Sequence, residues 1–196
     1  TQLDGILANG YTAVNIFDLS AEELADLDVL IVQNPSNGSY GSEYLSSLAL
    51  IQEAVNSGLV LVINDRYVAN AESILPGGSD FEILRNFSDS ANIDIVNPDS
   101  ILVTSNTAEL SDDITNTSLD GGNSSSHGFS VAGSLGDAEI LLSTSDSSEV
   151  VVFSYQFGTG SVIYSTIPLD YYLAGNGPSG TVAGMEQYYE NRIKYG

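Results

Sequence analysis

Apolar positions recur at two different periods along this chain, and the switches between them mark its elements. Leu3, Ile6 and Leu7 fall on one face of a short helix that stops at Asn9-Gly10, a helix-ending pair. Ala13 to Phe17 then reads as a strand. Ser20-Ala-Glu-Glu-Leu predicts a helix start, with Ser20 as N-cap and Glu23 three residues on completing a capping box. Asp28-Val-Leu-Ile-Val-Gln lacks polar alternation, the pattern of a strand covered by helices on both faces. After a polar loop from Asn34 to Gly41, the residues Leu45, Leu48, Ile51 and Val55 return at helical spacing. They predict a helix over 42–57, ended by Gly58, and Leu59-Val-Leu-Val-Ile-Asn follows as a second buried strand.

Strand and helix in alternation, joined by short links, predict a doubly wound α/β domain with a mostly parallel sheet and right-handed crossovers. The pattern loosens from about residue 67, with a short helix expected around Phe81–Phe87 and long ordered loops over 104–130. Three strands then follow at Ala138–Ser143, Val150–Tyr155 and Ser161–Ser165, the last two joined antiparallel by the hairpin turn Phe157-Gly-Thr-Gly. Thr181–Tyr195 predicts a closing helix. No repeat or boundary divides the chain, so residues 1–196 read as one domain. Its first element is a helix, whereas a doubly wound domain opens on a strand; that strand either lies upstream or is dispensed with.

Charge changes the picture of partners. Of 196 residues 26 are acidic and four basic, a net charge of -22. The basic residues are Arg66, Arg85, Arg192 and Lys194. Nucleic acid is excluded, because phosphate binding needs clustered Lys and Arg, and an anionic membrane surface is disfavoured. A solvated acidic surface or divalent counter-ions fit better. No run reaches the roughly 18 apolar residues of a membrane helix, so no membrane insertion is expected. There is no signal peptide, and export would depend on a segment outside the chain. With no cysteine at all, disulfides, thiolate nucleophiles and sulfur-based zinc sites are excluded.

Four stretches carry a resemblance: Leu27-Asp-Val-Leu-Ile-Val-Gln-Asn; Ala54-Val-Asn-Ser-Gly with the following Leu59-Val-Leu-Val-Ile-Asn-Asp-Arg; Asp113 to Phe129; and Phe157-Gly-Thr-Gly-Ser-Val-Ile-Tyr-Ser-Thr-Ile-Pro-Leu-Asp. Together they resemble the class I glutamine amidotransferase-like superfamily, flavodoxin-like in fold, and in particular its non-catalytic members in large secreted bacterial proteins such as RTX-type calcium-dependent adhesins. The superfamily's enzymes use a cysteine nucleophile, so the absence of cysteine removes that chemistry. The resemblance implies an extracellular, cell-surface module of a larger multidomain chain, which takes part in adhesion and biofilm formation.

Other chemistry is bounded by the single histidine, His127. A serine hydrolase of the G-x-S-x-G type is excluded because the pentapeptide is absent. A Ser/His scheme would have to use His127 with one of Ser124–Ser126, and the competing reading is a histidine that hydrogen-bonds its loop or touches a ligand. Calcium takes six to eight oxygens, and Asp112, Asp113, Asp120 and Asn123 lie in one Gly-rich stretch able to supply some. Asx turns, in which Asp and Asn bond their own backbone, explain the same residues. Ligands of open parallel sheets sit beyond the carboxyl ends of the strands. Loops at 34–40, 65–67, 120–128 and 170–172 should converge there. Asp65, Arg66, Tyr67, Asn123, His127, Asp170 and Tyr171 are therefore the candidate ligand contacts, with Tyr40 and Tyr172 as further stacking surfaces. The expectation is a non-catalytic, calcium-dependent domain that binds a peptide or protein on another cell. A glycan-binding module, a structural spacer and a Ser/His hydrolase are the alternatives.

Overall fold

The computed structural model describes residues 2–8, 10–16, 18–100, 114–122 and 124–195. Helix α1 (Gln2–Ala8) and helix α2 (Ala21–Ala25) precede strand β1 (Val29–Asn34). Ser20 caps α2 as its sequence requires, its Oγ accepting from the Glu23 N–H at 3.2 Å. The expected single helix over 42–57 is two, α3 (Ser42–Ser46) and α4 (Leu48–Asn56), with Ser47 closing one and opening the other. Strand β2 (Val60–Asp65) follows, in parallel register with β1 from Val29↔Val60 to Asn34↔Asp65.

Two short strands, β3 (Ile83–Leu84) and β4 (Asp94–Ile95), lie in the irregular region, and β5 (Phe129–Val131), β6 (Glu139–Ser143), β7 (Glu149–Phe157) and β8 (Gly160–Ser165) complete an eight-stranded sheet. The sheet is mixed. β1, β2 and β8 run parallel side by side, and the remaining pairings are antiparallel. Val150 pairs with both Ser130 of β5 and Ser143 of β6, so those two strands occupy opposite edges of β7. β6 and β8 also overlap along β7, which leaves β5 and β8 end to end on one edge. The β7–β8 hairpin turns on Gly158 at φ 63, the positive value a two-residue turn of this kind demands. Helices α5 (Leu169–Leu173) and α6 (Ser179–Tyr195) close the chain.

Strand alternation divides the core in two. Leu61, Ile63, Val162 and Tyr164 pack with Leu24, Ile51 and Val55 of α2 and α4. Val62 and Ile163 pack with Leu169, Tyr172, Met185 and Tyr188 of α5 and α6. Among the described residues no helix is long and apolar enough to cross a membrane.

Two further expectations need correction. The segment around Phe81–Phe87 is extended, not helical, because long-range pairing captures it: Ile83 and Leu84 pair with β5, and Glu82 N–H donates to Ser134 Oγ at 2.8 Å. Residues 13–16 form no strand, and Val14 is 68% exposed. A strand needs a neighbour to take its backbone hydrogen bonds, and among the described residues β1 pairs with β2 alone. Phe17 lies outside the described residues.

Candidate functional site at the carboxyl edge of the sheet

Parity along β2 fixes the site. Asn64 and Asp65 are consecutive, so their side chains leave opposite faces of the sheet. Asp65, fully buried, accepts from Asn34 Nδ2 at 3.1 Å, Tyr40 hydroxyl at 2.8 Å, Tyr67 N–H at 2.9 Å and Tyr164 hydroxyl at 3.0 Å. Burial, then the Asp65 charge, push the Tyr40 and Tyr164 hydroxyls well above the ordinary tyrosine range, so both stay protonated donors. The sequence places Asp65 among the ligand contacts; its position is instead interior, where it ties three strand ends and the 34–40 loop together.

Asn64 faces the other layer. Arg192 of α6, 1% exposed, donates to its Oδ1, to the Ile63 carbonyl at 2.9 Å and to the Ile163 carbonyl at 3.2 Å. Burial lowers the pKa of this guanidinium, and the strand carbonyls stabilise its charge.

Arg66, next along the chain, reaches the surface. Its Nη1 donates to Asp170 Oδ2 at 3.0 Å, the two side chains being 26% and 20% exposed, and its guanidinium lies 5.6 Å from the Tyr171 ring centroid. Its Nε is buried without a hydrogen-bond partner. Gln33 Nε2 donates to the other Asp170 oxygen at 3.3 Å. The Arg66 carbonyl accepts from His127 Nδ1 at 2.7 Å. That bond places the proton on Nδ1 and leaves Nε2, 3.3 Å from Ser124 Oγ, as an acceptor. His127 reaches this point because its N–H donates to the Thr166 carbonyl at 2.9 Å, where β8 hands over to β5. Gly128 permits the crossing, since a Cβ there would collide with the Leu84 carbonyl. Burial, then Arg85 and Arg66, lower the His127 pKa, against the raising effects of the carbonyl bond and Asp170.

Of the candidate contacts, Arg66, Tyr67, His127, Asp170 and Tyr171 thus converge at one edge, while Asn123 lies outside the described residues. Arg85 and Phe87 belong there too and were missed. Arg85 donates to the carbonyls of Arg66 (3.2 Å) and Tyr67 and to Asn37 Oδ1 (2.6 Å), and its guanidinium lies 5.7 Å from the Tyr67 ring and 5.1 Å from Phe87. The scarcity of cations that singles out Arg66 applies equally to Arg85. Phe87, 45% exposed, packs edge-on against His127 at 5.1 Å. Val68, buried at φ 65, turns the chain away behind Tyr67 in a conformation rare for a β-branched residue.

Of the proposed calcium ligands, Asp112, Asp113 and Asn123 lie outside the described residues. Asp120 Oδ1 accepts from Ile93 N–H at 2.7 Å, and burial raises its pKa, with Asp94 and Asp89 adding to the rise. Among the described residues no three acidic, histidine or cysteine side chains gather as a metal cage. A separate groove of about 720 Å³ lies at the opposite, amino end of β1 and β2, lined among others by Leu24, Leu27, Asp28, Leu50 and Glu53, and holds none of the candidate contacts.

No family model matches the chain, and no curated protein matches its sequence. In structure the chain is similar to a cytoplasmic protein from Salmonella typhimurium, with a TM-score of 0.60, 13% identity, and 99% of this chain and 85% of that chain covered. At that identity the likeness is one of fold alone: an α/β domain.

Proposed function

We propose that this chain is the ligand-binding domain of a secreted bacterial adhesin, flavodoxin-like and of the non-catalytic amidotransferase-like type, which holds a carboxylate-bearing peptide or protein at the carboxyl edge of its parallel strands. The observation that carries the reading is Arg66: a cation in a chain of net charge -22, about a quarter exposed, anchored through Asp170 and retaining a buried donor with no partner. Buried donors are ordinarily satisfied, and a ligand oxygen is the natural complement. Arg85 and His127 both donate to the Arg66 carbonyl, so two of the four basic residues of the chain, Arg66 and Arg85, stand together at this edge. Tyr67, Phe87 and Tyr171 supply flat apolar surface beside it. The same rings support a sugar ligand, the alternative within the binding class.

Calcium enters as the counter-charge for the acidic 112–123 stretch, with Asp120 as the described carboxylate. Extracellular placement in a larger chain rests on the sequence resemblance, and the acidity of the chain fits it. Screening the purified domain against peptide and glycan arrays, with calcium and with EDTA, tests this reading: binding that Arg66→Gln removes supports it.

One observation favours a second reading. Ser124 Oγ and His127 Nε2 are paired while a carbonyl orients the imidazole, the outline of a nucleophile and its base. Hydrolysis of ester substrates by the wild type, absent in Ser124→Ala, would establish it.

A further inference from the structure

Four basic side chains stand against 26 acidic ones in this chain, yet among the described residues Arg85 pairs with no carboxylate. Arg66 has Asp170, and Arg192 is buried in the α5–α6 layer. Arg85 is only partly buried, and its acceptors are neutral: the Arg66 and Tyr67 carbonyls on Nη1, and Asn37 Oδ1 on Nη2 at 2.6 Å.

The two ends of this guanidinium differ. Nη1 is committed to backbone, and the Tyr67 and Phe87 rings, at 5.7 and 5.1 Å, hold the plane in place. Nη2 meets only Asn37, an exposed residue at the tip of the 34–40 loop. That loop is secured at its base. Asn34 and Tyr40 both donate to Asp65, and Ser36 Oγ accepts from the Gly38 and Ser39 N–H groups at 3.2 Å. Among the described residues the Asn37 amide is the tip's hydrogen bond to the rest of the domain. Releasing it leaves the base of the loop tied down. A carboxylate brings a full charge to Nη2 where the amide brings a dipole, so it is the stronger acceptor. Arg66 belongs to the same site: its carbonyl accepts from Arg85 Nη1 at 3.2 Å, and the His127 pKa is lowered by burial and then by both guanidinium charges.

We propose that Arg85 is a second carboxylate subsite, capped in the free protein by Asn37, and that the ligand is an acidic pair, two carboxylates on one residue as at a free C-terminal aspartate or glutamate. One carboxylate meets Arg66, and the other displaces the Asn37 amide from Arg85 Nη2. Two carboxylates on one residue suit two guanidiniums joined through a single peptide carbonyl. This rests on the carboxylate-binding reading and names its ligand class.

The probes are three acetylated peptides of one sequence: ending in glutamate with a free C-terminus, in glutamine with a free C-terminus, and in glutamate amide. The first carries two carboxylates, the others one. Calorimetric titration gives the affinity ratio between them. Arg85 also holds two carbonyls, so the substitutions are made at Asn37, whose φ is not positive and accepts alanine. Wild type favours the two-carboxylate peptide roughly fivefold or more, between the worth of an exposed ion pair and that of a desolvated one. Asn37→Ala uncaps Arg85 and widens the ratio about twofold or more. Asn37→Asp gives Arg85 a carboxylate of its own and brings the ratio toward one. Ser39→Asp, which adds the same charge to the loop away from Arg85, keeps the ratio near that of wild type. A wild-type ratio of one, while single-carboxylate peptides still bind and still need Arg66, overturns the second subsite and leaves the binding reading standing. Binding of no carboxylate peptide defeats both. A ratio lowered alike by Asn37→Ala and Asn37→Asp, or by Ser39→Asp as far as by Asn37→Asp, also overturns the proposal.

Discussion

Arg66 and Asp170 are 104 residues apart in sequence, yet their side chains meet at 3.0 Å at the joined carboxyl ends of β2 and β8. The contact exists because those strands are parallel neighbours, Val60↔Ser161 through Asn64↔Ser165, so their following loops emerge on the same side. Position and charge are separable here. A single ion pair open to solvent on one side contributes little to stability, about 0–1 kcal/mol, which frees Arg66 to act on a ligand.

Asp65 is the opposite case. Asp65→Ala leaves the donors of Asn34, Tyr40, Tyr67 and Tyr164 without their acceptor. Hydrogen bonds to a charged group are worth about 1.5–3 kcal/mol each and do not add fully, so a total cost of about 3–5 kcal/mol is expected. At about 2–4 °C per kcal/mol, Tm falls by roughly 6–20 °C. Arg66→Gln should leave Tm nearly unchanged. Thermal melts of both variants check the contrast, and equal losses would contradict it.

The parallel strands were legible in the sequence because buried strands read as unbroken apolar runs, and the gathering of Arg66, His127, Asp170 and Tyr171 followed from strand direction. The face of Asp65 was not legible. It is the last residue of β2, and only the register with β1 and β8 shows whether that end turns inward or toward a loop. The extended β3 was hidden because its partner lies in β5, some 45 residues on, and helical spacing of Phe81 to Phe87 says nothing about distant strands. Ala13 to Phe17 has a strand's composition, but a strand also requires a neighbour.

His127 gives a pH signature. Its folded pKa is lowered, so as pH falls the unfolded chain binds the proton first. Stability is then constant above about pH 6.5, declines as pH drops from there to the folded value, and levels off below it. Wild type should lose more Tm than His127→Gln across that window. Parallel curves would remove His127 as the source.

Calcium dependence is read from chelation. Carboxylates relieved of a bound dication repel one another, and an ion that binds only the folded state stabilises it by about 2.7 kcal/mol at a hundredfold excess over its dissociation constant. Tm should rise in millimolar calcium and fall in EDTA. Identical melts in both would take calcium out of the account.

Catalysis by the Ser124–His127 pair is tested by turnover. A general base contributes about 10²- to 10⁴-fold, and no second histidine can replace His127. The binding reading expects no ester or peptide hydrolysis above background from wild type. Turnover that vanishes in both Ser124→Ala and His127→Ala would replace binding with hydrolysis.

The most direct measurement is calorimetric titration of wild type and Arg66→Gln with peptides selected from a library, each in free-carboxylate and amidated or esterified form. Loss of a charged partner in a desolvated site costs about 2–5 kcal/mol, roughly thirtyfold in affinity or more. The account predicts binding of the carboxylate forms by wild type, and a loss of at least that size on masking the carboxylate or on Arg66→Gln. Equal affinity for masked and unmasked peptides, or full affinity in Arg66→Gln, would contradict it.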